Sequence, residues 1–208
     1  MEAPCSRRLL AWLQWQIMSI VRLRTFVQEF TQLLDSAASE MNIVREGRQL
    51  LSELVSHDDW LPEPFARCVP ERYQQNLLHC DARERFSVVS FVWAPGQKTA
   101  IHDHTVWGLV GVLRGEETSQ RFALAGAGQP LIAAEKSVLR PGAVEVLLPT
   151  EGDIHEVTNS GMGGAAVSIH VYGGNIGAIE RHEYDRDTGR RSRFVSGYSN
   201  STLPNLWS

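Results

Sequence analysis

The sequence predicts a mainly β domain behind an α-helical front, and three observations carry that expectation. Between about residues 20 and 35, Leu23, Phe26, Val27, Phe30, Leu33 and Leu34 recur at the i, i+3, i+4, i+7 spacing of one helical face. Pro62, Pro64 and Pro70 then interrupt any helical continuation. From about residue 72 onward, short runs rich in Val, Ile, Phe and Trp alternate with Gly and Pro turns. That texture belongs to an all-β sandwich or barrel.

Taken in order, residues 1–17 hold Arg7 and Arg8 followed by Leu9, Leu10, Trp12, Leu13, Trp15 and Ile17. A charged start before an apolar stretch is the outline of a signal peptide. Gln14 and Gln16 interrupt the stretch, however, and no small-residue cleavage site follows. It is also too short to span a membrane. The segment is read as an upstream extension, with Met18 a candidate natural start. A second helix is expected over 42–56, with Ile43, Leu50, Leu51 and Leu54 on one side. The helical front is thus 18–60. The β region, 72–200, includes the runs Phe86–Trp93, Val106–Leu113, Val144–Leu148 and Ala165–Tyr172.

Composition narrows the function. A length of 208 residues suits one domain and buries a sizeable core. The formal charge of −4, with no basic block, argues against a nucleic-acid partner. Cys5, Cys68 and Cys80 are too few and too scattered for a disulfide framework, and no C-x-x-C pair suggests zinc. A reducing cytoplasm is the natural reading. Nothing in the sequence fixes the oligomeric state.

The strongest chemical signal is Gly96-x5-His102-x-His104, followed by Gly108 and Gly115. On a strand, residues i and i+2 share a face, so His102 and His104 would stand side by side. Imidazole suits Fe, Zn, Cu and Ni. Two ligands hold a metal poorly, and a second segment, Pro149-x-x-Gly152-x-x-His155-x3-Asn159, offers a third. Taken together, the two segments resemble the paired motifs of the cupin superfamily. Gly96, His102, His104, Gly115, Pro149, Gly152, His155 and Asn159 match, and Gly108 stands where the usual ligand Glu would be. The resemblance implies a single domain over 18–208, a cupin jelly-roll barrel with N-terminal α-helices, in which His102, His104 and His155 converge on one metal. Three neutral imidazoles leave that metal its full charge, which an anionic substrate ligand such as a thiolate can offset.

Ser168-Ile169-His170-Val171-Tyr172 alternates polar and apolar residues. On a strand this places a hydroxyl, an imidazole and a phenol on one face, in reach of a hydrogen-bond relay. The alternative is a polar stripe on an exposed sheet face. With His102-Asp103-His104-Thr105 and His155, this set makes the chain resemble the thiol dioxygenases, the family of cysteine dioxygenase and 3-mercaptopropionate dioxygenase, over about Tyr73 to Arg181. The resemblance implies Fe(II) as cofactor, with O2 and a small thiol carboxylate as partners. It implies that Tyr172 sits near the reacting oxygen with His170 and Ser168 behind it.

Two departures bear on the branch. In the mammalian-like enzymes a Cys crosslinked to the active-site Tyr takes the place of Gly108, and an Arg that grips the substrate carboxylate takes the place of Gln75 in Tyr73-Gln74-Gln75-Asn76. Glycine has no sulfur, so no such crosslink to Tyr172 forms. An amide lacks the charged fork of a guanidinium. The Gln version resembles bacterial 3-mercaptopropionate dioxygenases, which carry an Arg after the Ser-His-Tyr strand; Arg181 fits that place and would bind the carboxylate with Gln75 and Tyr73. Its alternative is a surface Arg in the charged tail Glu180, Arg181, Glu183, Asp185, Arg186. His57 and His79 are expected on the surface or in loops, His182 in the polar tail after Arg181, and Cys68 and Cys80 as packing residues. The competing functions are a cupin isomerase, a carbon-substrate dioxygenase using Mn, Ni or Zn, and a non-enzymatic metal- or thiol-binding cupin.

Overall fold

The computed structural model describes residues 5–36, 39–160 and 163–207, with side chains from residue 20 onward. Two helices lead the chain, α1 (Cys5–Asp35) and α2 (Glu40–Val55). Ser39 caps α2 by accepting a hydrogen bond from the Asn42 amide, satisfying one of the free donors at the helix start. The helix expected from about residue 20 therefore continues upstream through residues 5–17, the segment read as an extension. The side chains of its apolar stretch lie outside the described residues.

Among the described residues eleven strands follow: β1 (Gln74–Cys80), β2 (Ser87–Trp93), β3 (Ile101–His102), β4 (Gly108–Arg114), β5 (Glu117–Ala123), β6 (Ile132–Leu139), β7 (Val144–Leu147), β8 (His155–Thr158), β9 (Ala166–Tyr172), β10 (Arg181–Tyr184) and β11 (Arg191–Phe194). They form a five-stranded sheet in the order β1-β2-β9-β4-β7 and a six-stranded sheet in the order β11-β10-β3-β8-β5-β6. Every pairing is antiparallel. Val157 of β8 packs with Val89, Phe91 and Trp93 of β2 and Tyr172 of β9, so the two sheets face each other. This is the mainly β architecture with N-terminal helices that the sequence leads one to expect.

The five-stranded sheet is buried on both faces. Leu23, Phe26 and Phe30 of α1 and Leu51, Leu54 and Val55 of α2 cluster with Val88, Val92, Leu109, Val167, Ile169 and Val171. Each such side chain, fully buried, stabilises the fold by about 1.5–3 kcal/mol. At the end of β4 the chain turns through Gly115, whose φ of +72° favours glycine. A Cβ there would lie 2.8 Å from the Ala166 backbone, so this motif glycine is required by close approach to β9.

Three local expectations need correction. His79 does not sit in a loop: it is half-buried on β1, its ring 5.4 Å from Phe86, and burial lowers its pKa. The stretch containing Arg181 and His182 is not a solvated tail but strand β10, paired between β3 and β11. His102 and His104 do not share a strand, because β3 ends at His102. The chain then turns through Thr105 at φ +59°, in the left-handed region that few side chains adopt. His57 lies in the turn after α2, and Cys68 and Cys80 are half-buried; Cys68 packs against the main core.

Candidate metal centre

His102, His104 and His155 are brought together at the centre of the barrel. Their ring centroids form a nearly equilateral triangle with sides of 4.8, 4.9 and 4.9 Å. One nitrogen from each lies within 4.8 Å of the others. The six-stranded sheet supplies this convergence: His102 on β3 pairs in register with His155 on β8. His104 arrives from the loop beyond β3, and that loop is anchored twice. Asp153 accepts hydrogen bonds from the His104 backbone amide (2.8 Å) and ring Nδ1 (3.1 Å). Asp103 accepts from the His182 amide (2.9 Å), His182 Nδ1 (2.9 Å) and the Tyr184 hydroxyl (2.8 Å).

The three rings are oriented by the same device. His102 Nδ1 bonds the Ala100 carbonyl at 3.0 Å, His104 Nδ1 bonds Asp153, and His155 Nδ1 bonds Ser119 Oγ at 3.2 Å. Ser119 in turn donates to Glu145 at 3.2 Å. With Nδ1 engaged outward, Nε2 is the nitrogen left for a ligand role. His104 Nε2 is buried with no hydrogen-bond partner, a costly arrangement that a metal ion at the triangle's centre relieves. Burial lowers the pKa of His102 to about 4 and those of His104 and His155 well below the ordinary value. All three imidazoles are therefore neutral at neutral pH, the state that binds metals. Donor type, tautomer and protonation all fit a metal ion.

The β9 set faces this centre. Ser168, His170 and Tyr172 are 0%, 3% and 2% exposed, which excludes a solvated stripe. Tyr172 Oη is 2.8 Å from His170 Nδ1, and His170 Nε2 is 2.8 Å from Ser168 Oγ, so the three form a continuous chain. The Tyr172 ring stacks on His104 with centroids 5.4 Å apart. Gly108 lies directly opposite Tyr172 in the β4–β9 register, and a Cβ there would come within 3.1 Å of the phenol ring. Burial raises the Tyr172 pKa, so its hydroxyl keeps its proton.

Tyr73, Gln75, His102 and Arg181 line one small cavity with Phe194 and Ser196. Arg181 is 4% exposed, which rules out the surface reading. Its guanidinium lies 4.7 Å from the Phe194 ring centre, Nη2 donates to Ser196 Oγ at 2.7 Å, and Nε is buried without a partner. The Gln75 amide donates to the same Ser196 Oγ (3.1 Å) and to the Gly197 carbonyl (3.2 Å). Tyr73 stacks on Phe91 and lies tilted against Trp93. Asp153, Ser119, Glu117 and the 194–197 segment escaped the sequence reading, as did the anchoring role of Asp103 within the His102–Thr105 motif. The alternation Glu117, Ser119, Arg121 on β5 is the one signal that could have found part of this set, because it repeats the period of two seen on β9.

The matching solved structures include an uncharacterised protein with a double-stranded β-helix domain from Klebsiella pneumoniae, 18% identical over 64% of this chain and 87% of that one, with a TM-score of 0.42. A cupin superfamily protein from Desulfitobacterium hafniense is 16% identical over 59% of this chain and 85% of that one, with a TM-score of 0.40. The family described as cysteine dioxygenase type I matches residues 16–186. That span is most of the chain and takes in both motif segments and all of β9, and on it the chain belongs to the cysteine dioxygenase type I family.

Proposed function

We propose that this chain is a non-haem Fe(II) thiol dioxygenase that adds both atoms of O2 to the sulfur of a small thiol carboxylate, with 3-mercaptopropionate preferred over cysteine. The observation that carries the reading is the convergence of three neutral imidazoles, with no carboxylate among them, beside a cavity walled by a buried arginine. A three-nitrogen donor set leaves the charge of a divalent ion uncompensated, which favours an anionic substrate ligand such as a thiolate. When bound, iron supplies the one-electron chemistry that couples O2 to sulfur.

The chain's own residues do the rest. Arg181 offers a desolvated positive charge with a free Nε to the substrate carboxylate; burial lowers its pKa, so an incoming anion is favoured. Gln75 supports Arg181 through their shared bond to Ser196 and anchors the wall of the cavity, with Tyr73 closing its side. Tyr172 presents a protonated hydroxyl towards the reacting atoms, held in place by His170 and Ser168. Gln75 and Gly108, in place of an Arg and a Cys, favour 3-mercaptopropionate, which lacks the amino group of cysteine.

Oxygen uptake by the iron-loaded protein tests the reading, with 3-mercaptopropionate, cysteine and cysteamine as substrates. The expected result is uptake with 3-mercaptopropionate, less with cysteine and least with cysteamine, which has no carboxylate. Labelled O2 should place both atoms in the sulfinate. Absence of uptake with every thiol would contradict it.

A further inference from the structure

Behind Ser168 lies a buried acid that the mechanism above does not use. Glu117 on β5 is 0% exposed, and neither carboxyl oxygen has a hydrogen-bond partner of ordinary geometry. Ser168 and the Trp93 indole are close enough to act on it as donors. Trp93 Nε1 also reaches Ser168 Oγ at 3.4 Å, so these three groups meet at one point. An isolated buried carboxyl is costly and calls for a physical reason.

We infer that Glu117 is the inner terminus of the Tyr172–His170–Ser168 chain and serves as its buried proton store. When Glu117 is protonated it donates to Ser168, Ser168 donates to His170 Nε2, and His170 Nδ1–H donates to Tyr172, whose hydroxyl then points into the site. When Glu117 is a carboxylate every bond runs the other way. Ser168 donates to Glu117, His170 Nε2–H donates to Ser168, and Tyr172 donates to His170 Nδ1, leaving its oxygen open to receive a proton.

The two states differ by one proton that crosses the chain by four hops. A proton arriving at Tyr172 Oη sends the Tyr172 proton to His170 Nδ1, the His170 Nε2 proton to Ser168, and the Ser168 proton to Glu117. Four O–H or N–H bonds form, and four break once the donor's own is counted. The consequence for turnover rests on the proposed thiol dioxygenase reading: a thiol enters and a sulfinate leaves, so one proton must be removed, and Glu117 can take it without opening the cavity to water.

Burial pushes the Glu117 pKa up to about 8, opposed by Ser168 and Trp93 and reinforced by the like charge of Glu145. A store in that range exchanges its proton near neutral pH. The titratable and charged groups that act on it or feel it are Tyr172 from β9 and Glu145 from β7, the last paired with Arg121 at 3.3 Å, while His170 stands beyond Ser168. His170, held neutral by burial with its pKa lowered to about 3, relays without becoming a cation sink. On β6, Leu139 stands opposite Glu117 and contributes no charge.

The direction of the chain is written in the His170 tautomer, which nitrogen NMR reads without any thiol present. The test uses the full chain with labelled imidazoles and diamagnetic zinc at the three-histidine site, titrated from about pH 6 to about pH 10. The His170 signals are assigned with His170→Gln. The wild-type protein should pass from Nδ1–H to Nε2–H in one transition, and Glu117→Gln should hold one tautomer throughout. Ser168→Ala, which cuts the chain but keeps the acid, should also lose the transition, and it carries the test if Glu117→Gln does not fold. A wild-type His170 with a fixed tautomer, or a transition that survives in either variant, would overturn the inference. Failure of the thiol reading shows instead in oxygen uptake, so the two are distinguishable.

Discussion

The two faces of β9 are equally dry and do opposite work. Val167, Ile169 and Val171 pack against the helices, while Ser168, His170 and Tyr172 face the second sheet. The apolar face needs no partner beyond shape. The polar face is tolerable only because each group has a hydrogen-bonding neighbour along the strand, from Tyr172 to His170 to Ser168. The difference teaches why the helical front matters to the chemistry: by sealing one side of the sheet, it supplies the stability that lets the other side carry buried polar groups.

Substitutions on each face can break or sharpen this contrast. The largest effect is expected from His155→Ala, which leaves two imidazoles and abolishes metal retention, as read by metal analysis of the purified protein. On the opposite face, Ile169→Ala should cost about 2–5 kcal/mol in denaturant unfolding while leaving the folded protein able to bind metal. Tyr172→Phe should invert that pattern: unchanged metal content, with kcat lowered by roughly a hundredfold in oxygen uptake through loss of the positioned hydroxyl. Arg181→Gln removes the buried charge, and KM for a thiol carboxylate should rise roughly 10–100-fold, with cysteamine unaffected. Smallest is Gly108→Ala, whose methyl would press on the Tyr172 ring. A few-fold loss of kcat is expected there, and a loss as large as that of Tyr172→Phe would mean the ring has no room to adjust.

Periodicity made part of this legible. The apolar runs on β2, β4 and β9 were visible because central strands buried on both faces read as continuous hydrophobic stretches; β7, half-buried at the sheet edge, showed only as a shorter run. β5, β6, β10 and β11 were not visible, since their residues are polar or charged and lie towards the edges or the barrel interior, as the exposed pattern of β6 illustrates. At the site, His102, His104 and His155 were legible because the two spaced segments that carry them, with their glycines, resemble a known pair of motifs. The Ser168–His170–Tyr172 alternation was legible as a face, but not as a buried one, because alternation alone is silent about what covers it. Arg181 was ambiguous for the converse reason: among charged neighbours in sequence it looks solvated, and only its pairing in β10 beneath Phe194 buries it. Asp153, and the role of Asp103, stayed hidden because their work is hydrogen bonding to loop backbone and ring nitrogens, which no local pattern records.

The central claim is that one ferrous ion is held by three imidazoles and still accepts sulfur. X-ray absorption at the iron edge, with and without 3-mercaptopropionate, tests it most directly. The account predicts one iron per chain, the scattering of three imidazole rings, and a new sulfur neighbour when the thiol is added. Fewer than three rings at the iron, or a coordination sphere unchanged by thiol, would contradict it.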